Sequence, residues 1–355
     1  MSNPNQEKIK VGISIGDAAG IGPEIIMKTF SDERLLKQFT PIIFGNPRVF
    51  SFYKRALNIE HFQYSSVKNY QNLSHNSINI MPVWNEEFAI TPGQPSEETG
   101  KYAFKSLEAA CLALKNKDID VLVTAPINKN FIHSKDFNFT GHTEYLQNYF
   151  EAKDNLMFMV TDDIKVGLVT NHTPIHQVAH NIKKHIIERK LMLMFESLQK
   201  DFGIDKPKIA VLGLNPHAGD KGLIGKEEAE IIFPVVKEVR DKGNVVFGPY
   251  PADGFFASSN WQKFDGILAM YHDQGLIPFK YIAGEEGVNF TAGLNIVRTS
   301  PDHGTAENIA GKGIADETSF RNAIYKAIEI FNARTNYYEM RKNPLKKLAK
   351  LEDER

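Results

Sequence analysis

An α/β protein built on mainly parallel sheets with flanking helices is what this sequence predicts. Three observations carry the expectation. Short apolar runs alternate along the chain with longer amphipathic ones. Most of the short runs are apolar at successive residues, as strands covered on both faces must be. The 355 residues suit two ordinary domains or one large unit, and 42% hydrophobic with 24% charged residues is the balance of a globular rather than a disordered chain.

Taken in order, residues 11–15, 41–44, 120–123, 166–169, 209–212 and 266–270 read as strands. Ala103, Phe104, Leu107, Ala110, Cys111 and Leu114 form one helical stripe between them, and Ile231, Ile232, Val235, Val236 and Val239 form another. No repeat or low-complexity linker marks a domain boundary. Residues 336–355 are polar and rich in lysine, which fits a solvated helix or a frayed tail.

Composition excludes several functions. Lys plus Arg (42) nearly cancels Asp plus Glu (43), so no global field recruits nucleic acid or an anionic membrane. Any anion must be held by a local cluster of cations. Cys111 is the only cysteine, which rules out an internal disulfide and a multi-thiolate metal site, and its helical stripe makes it a core thiol. The first eight residues lack the apolar core of a secretory signal, and no apolar stretch approaches the ~20 residues needed to span a bilayer. A cytoplasmic protein is expected.

In a parallel α/β protein, ligands bind where loops leave the carboxyl ends of strands. His172 (in TNHTP, 170–174), His217 (in GLNPHAGD, 213–220) and His272 (in YHDQG, 271–275) each follow a separate predicted strand. Three neutral imidazoles suit a divalent ion and leave positions open for substrate. Their long intervals match no short zinc motif, so convergence rests on the fold. Asp273 and Asp253 are candidates to add a ligand, orient a histidine or act as a base; each also reads as a turn aspartate.

Two further segments stand out. GDAAGIGPE (16–24) follows the first strand and opens a helix, with Pro23 suited to a first helical position. Its spacing is not that of a dinucleotide-binding loop, and Asp17 and Glu24 place negative charge where a pyrophosphate would sit, so it reads as a tight strand-to-helix turn, with a place at the border of a ligand left open. RTSPDHGTA (298–306) offers a cation, hydroxyls and small residues. Donors for a phosphate are available from Lys280, Arg298, His142, Thr143 and Asn289.

Six motifs, GDxxGIGPE (16–24), TAPINK (124–129), GHTEYL (141–146), GLNPHAG (213–219), YHDQGLIP (271–278) and RTSPDHGT (298–305), resemble in order those of the 4-hydroxythreonine-4-phosphate dehydrogenases. The resemblance covers about residues 10 to 330. It implies two α/β/α domains around a cleft, of the isocitrate/isopropylmalate dehydrogenase type. One would comprise residues 1–130 plus 285–355 and carry the dinucleotide loop. The other, 131–284, would carry the metal ligands and a homodimer interface, with the active site shared between subunits. By position, His172, His217 and His272 match the family's metal ligands, for zinc, magnesium or cobalt. His142, Thr143, Lys280, Asn289 and Arg298 match its substrate contacts. Asp302, His303, Gly304 and Thr305 fall in the loop that meets NAD or NADP, and Asp253, Asp273 and Lys280 are the catalytic candidates.

The implied reaction is oxidation and decarboxylation of 4-phosphooxy-L-threonine to 3-amino-2-oxopropyl phosphate, CO2 and NAD(P)H in pyridoxine 5'-phosphate synthesis. Ala18, Asn295 and Glu307-Asn308 depart from the usual residues, and both nicotinamide cofactors stay open. The rival readings are a paralogue acting on 4-phospho-D-threonate or 4-phospho-D-erythronate, a phosphate acyltransferase, and a non-catalytic metal or phosphate binder.

Overall fold

The computed structural model describes residues 8–343. Twelve strands form one sheet: β1 (Lys10–Ser14), β2 (Thr40–Gly45), β3 (Tyr64–Ser66), β4 (Ile78–Pro82), β5 (Val121–Thr124), β6 (Leu156–Val160), β7 (Lys165–Leu168), β8 (Lys208–Leu212), β9 (Val245–Tyr250), β10 (Gly266–Ala269), β11 (Val288–Ala292) and β12 (Arg298–Pro301). Their spatial order is β3-β4-β2-β1-β5-β12-β11-β6-β7-β10-β8-β9. The first six positions of that order run parallel to one another, as do the last four. Between these wings lie β11 and β6, joined to each other and to their neighbours by antiparallel pairings. The sheet therefore changes direction at its middle, and such a switch point is where crevices open in α/β folds.

The connecting helices are α1 (Gly22–Thr29), α2 (Pro47–Ala56), α3 (Glu97–Lys115), α4 (Lys129–Ile132), α5 (His142–Tyr149), α6 (Ile175–Asn181), α7 (Lys184–Lys200), α8 (Phe233–Asp241), α9 (Ala252–Ala257), α10 (His272–Ala283) and α11 (Thr318–Arg341). Apolar side chains of α1, α2, α7, α8 and α11 pack with both wings into one continuous core. The remaining core is divided in two, one part around α3 and α5 and the other around α9 and α10. That division leaves room for a cavity near the middle of the sheet. Cys111 is buried within the α3 core, where burial pushes its thiol far above the ordinary range, so it serves packing.

All six expected strands form, within a residue or two of their expected ends. The second helical stripe does not form one α-helix. Ile231 and Ile232 belong to a π-helical turn, Glu228–Ile232, and α8 begins only at Phe233. Pro234, in the first turn of α8, has no N–H to continue the α-helical ladder back into that turn. Strands β11 and β12 are absent from the expected set because Asn289, Thr291, Arg298, Thr299 and Ser300 break any apolar run. The lysine-rich end is helical as far as Arg341, and residues 344–355 lie outside the described region. Among the described residues, no helix is long and apolar enough to cross a membrane.

Candidate active site

Strands β7, β10 and β8 are adjacent and parallel, and their carboxyl ends lead into His172, His272 and His217 respectively. The first two loops are stitched together. Val169 N–H donates to Ala269 O at 2.9 Å, and Thr170 Oγ1 donates to Met270 O at 2.7 Å. As a result the His172 and His272 rings lie 5.9 Å apart at 37°. Asp273 Oδ1 lies 2.7 Å from His272 Nδ1, which fixes the tautomer that leaves Nε2 free as a donor to a metal. Burial, with Lys129 and His272 nearby, holds His172 below the usual imidazole range and keeps it neutral.

His217 is exposed in a left-handed turn on the β8 loop, and neither it nor His272 is among the residues lining the cavity that His172 borders. Among the described residues, no group of three His, Cys, Asp or Glu side chains is placed to hold a metal ion. One chain thus pairs two imidazoles of the right chemistry and presents the third apart from them.

Beside His172 lies a cavity of about 180 Å³. Its wall gathers Thr124 at the end of β5, Pro126, Ile127 and Lys129 beyond it, Gly141, His142, Thr143 and Glu144 at the start of α5, and Met157 of β6. Asn289, Arg298, Ser300, Pro301, His303 and Gly304 complete it. Arg298 is 2% exposed, yet its hydrogen bonds go only to hydroxyls. Nε and Nη2 donate to Thr124 Oγ1 at 3.1 and 2.6 Å, and Nη1 donates to Thr291 Oγ1 at 3.2 Å. Burial without a carboxylate partner lowers its pKa to about 10. A buried guanidinium left this way costs several kcal/mol until an anion reaches it.

The same wall carries other unmet polar groups. His142 Nε2, Asn289 Oδ1 and His303 Nε2 are buried without hydrogen-bond partners. Burial, Arg298 and Lys129 keep His142 well below the ordinary imidazole range. Gly141 caps α5 without a side chain, so the first amides of this helix remain free for an anion. The helix N-terminus, the guanidinium and Lys129 bring positive charge to one cavity, where Glu144 is the one acidic side chain in the wall among the described residues.

The loop at 302–305 is held from several sides. Ile21 N–H donates to Thr305 O at 3.0 Å, and a Cβ on Gly20 would stand 2.9 Å from that same oxygen. The turn at 16–24 therefore borders this loop rather than cradling a phosphate. Thr305 Oγ1 and Asn128 Nδ2 both donate to Glu307 Oε1, at 2.6 and 2.8 Å. Lys280 Nζ lies 3.1 Å from Asp302 Oδ1 and 2.9 Å from Asp302 O, next to the cavity-lining Pro301 and His303. Asp253 is exposed on α9. Asn295 lines a separate groove with the ends of α3, α5 and α11.

Thr124, Lys129, Glu144 and Ser300 line the cavity without having been singled out from the sequence. The TAPINK motif held the signal for the first two, because a Thr and a Lys flank the Pro that ends a buried strand.

Residues 37–327 match the family described as pyridoxal phosphate biosynthetic protein PdxA. The chain is 49% identical over 343 residues to the 4-hydroxythreonine-4-phosphate dehydrogenase of Bacteroides thetaiotaomicron, covering 96% of this chain and 94% of that protein. It is 37% identical to an Oceanobacillus iheyensis protein with the provisional name D-threonate 4-phosphate dehydrogenase, over 90% of this chain and 97% of the other. The crystal structure of 4-hydroxythreonine-4-phosphate dehydrogenase from Klebsiella pneumoniae superposes with a TM-score of 0.79 at 33% identity, covering 93% and 99% of the two chains.

Proposed function

This chain belongs to the PdxA family of pyridoxal phosphate biosynthetic proteins, and on that premise we propose that its cavity binds a phosphorylated hydroxy-amino acid for oxidation. The substrate is 4-phosphooxy-L-threonine. The products are 3-amino-2-oxopropyl phosphate, CO2 and reduced NAD or NADP, in pyridoxine 5'-phosphate synthesis. The observation that supports this most is the buried guanidinium of Arg298, hydrogen-bonded to no carboxylate, among unmet polar groups.

The roles follow from position. Arg298, the amides of His142 and Thr143, and Asn289 take the anionic groups of the substrate. Their contacts far from the reacting carbon give binding energy and orientation. His172 and His272, with His217 supplied by a second copy of the chain, hold a divalent cation such as zinc, magnesium or cobalt. When bound, the nicotinamide would supply a hydride acceptor and the cation would supply Lewis-acid polarisation of a substrate oxygen. Asp273 keeps His272 Nε2 directed away from itself. The loop from Asp302 to Thr305 meets the dinucleotide. Lys280, tied to Asp302 beside the cavity wall, relays at Nζ the proton given up by the substrate hydroxyl to the carbon that loses CO2. Asp253, exposed on α9, has no role in this scheme.

The test measures nicotinamide reduction with 4-phosphooxy-L-threonine, with 4-hydroxy-L-threonine, and with 4-phospho-D-threonate. The first alone should support rapid turnover. Equal rates with the unphosphorylated compound would contradict the anion-binding role of the cavity. Preference for the D-threonate ester would favour the second reading, which the O. iheyensis relative supports.

A further inference from the structure

The turn that carries His217 is made of six consecutive residues with positive φ: His217 at 54°, Ala218 at 50°, Gly219 at 77°, Asp220 at 39°, Lys221 at 57° and Gly222 at 97°. Four of them bear a Cβ, and L-residues disfavour this conformation singly, let alone in succession. Such a turn persists only where its surroundings over-determine it. The group that does so is Glu228.

Glu228 is 5% exposed. Its Oε1 accepts from Leu214 N–H and Asn215 N–H, both at 2.7 Å, and its Oε2 accepts from Asn215 Nδ2 at 2.9 Å. The backbone of Gly219 packs on the same carboxylate, where a Cβ would stand 2.6 Å from Oε2. Glu228 therefore fastens the chain on both sides of His217. Its own backbone begins the π-helical turn Glu228–Ile232, a helical irregularity of the kind often found beside functional sites. Among the described residues no Lys, Arg or His forms a salt bridge with it. The buried carboxylate is satisfied by the loop alone. Gln274, two residues after His272, adds a second fastening by donating from Nε2 to Gly213 O at 2.5 Å.

We propose that Glu228 is a positioning residue that shapes the 217–221 turn and thereby aims the His217 imidazole at the cation. This rests on the reading of His217 as a ligand. Replacing the carboxylate by an amide turns one acceptor into a donor, so Glu228→Gln can serve the two backbone N–H groups or Asn215 Nδ2, not both.

Cobalt(II) alone is the probe, titrated into metal-free full-length protein and followed by its visible absorption, with circular dichroism to confirm folding. Wild type is expected to bind, and His217→Ala to lose binding. A folded Glu228→Gln should bind about 10- to 100-fold more weakly, with an altered spectrum at saturation. Gly219→Ala, which pushes on the same carboxylate, should act in the same direction and carries the test if the Gln variant does not fold. Wild-type affinity and spectrum in a folded Glu228→Gln or Gly219→Ala, against loss in His217→Ala, would overturn the role of Glu228 alone. No difference between wild type and His217→Ala would instead remove the ligand reading, and this inference with it.

Discussion

Arg298 and His172 line one cavity, but the groups behind them are held in opposite ways. Arg298 stands on a central strand, is almost wholly buried, and is gripped by Thr124 and Thr291 from two neighbouring elements. The anion side is thus finished within one chain. The imidazoles sit on loops beyond strand ends, and only two of the three meet. A buried cation needs its surroundings built first because desolvation is costly, whereas neutral imidazoles tolerate exposure until a cation gathers them. On the proposed reading, anion recognition is a property of the fold and cation binding a property of assembly.

The comparison can be broken by variants that should affect one side and spare the other. The largest effect is expected for Arg298→Met, which should lower kcat/KM by about 30- to 1000-fold, equivalent to 2–4 kcal/mol, while cobalt affinity stays as in wild type. Equal losses of both would show that the two sides are not separable. His217→Ala should remove cation binding yet leave the affinity for the phosphoester, measured by calorimetry, within about threefold. Asp273→Asn should weaken cation binding by roughly tenfold, because the amide no longer holds His272 in one tautomer.

The smallest effect concerns protons. Burial holds His142, His172 and His303 below the usual imidazole range in the folded chain. With the folded pKa below the unfolded one, their contribution to stability is intact above about pH 6.5 and is lost as pH falls below it. An anion entering the cavity favours the charged imidazole. Phosphoester binding at about pH 6.5 should therefore take up a fraction of a proton, seen as a buffer-dependent enthalpy, and His142→Gln should reduce it.

Much of this was legible in the sequence. The alternation of buried strands and striped helices fixes a parallel α/β architecture, and the rule that loops follow carboxyl strand ends places all three histidines on one edge of the sheet. What remained hidden has physical causes. Strands β11 and β12 are polar because Asn289, Arg298 and Ser300 face the cavity, so no apolar pattern announces them. The change of sheet direction at β11 and β6 depends on pairing partners distant in sequence. The left-handed turn at His217 depends on Glu228, whose carboxylate reads as an ordinary surface charge until its three donors are seen. Thr124 was legible as part of a motif, but its grip on Arg298 spans 174 positions.

Mixing two inactive variants tests directly whether the cation site needs a second chain. His217→Ala and His272→Ala, unfolded together and refolded as a mixture, can form a dimer in which one site keeps all three imidazoles. Complementation should restore about a quarter of wild-type turnover for random pairing in a two-fold dimer. No activity above that of the separate variants, from a mixture shown to contain the hybrid, would mean that His217 and His272 of one site come from the same chain, contrary to the account.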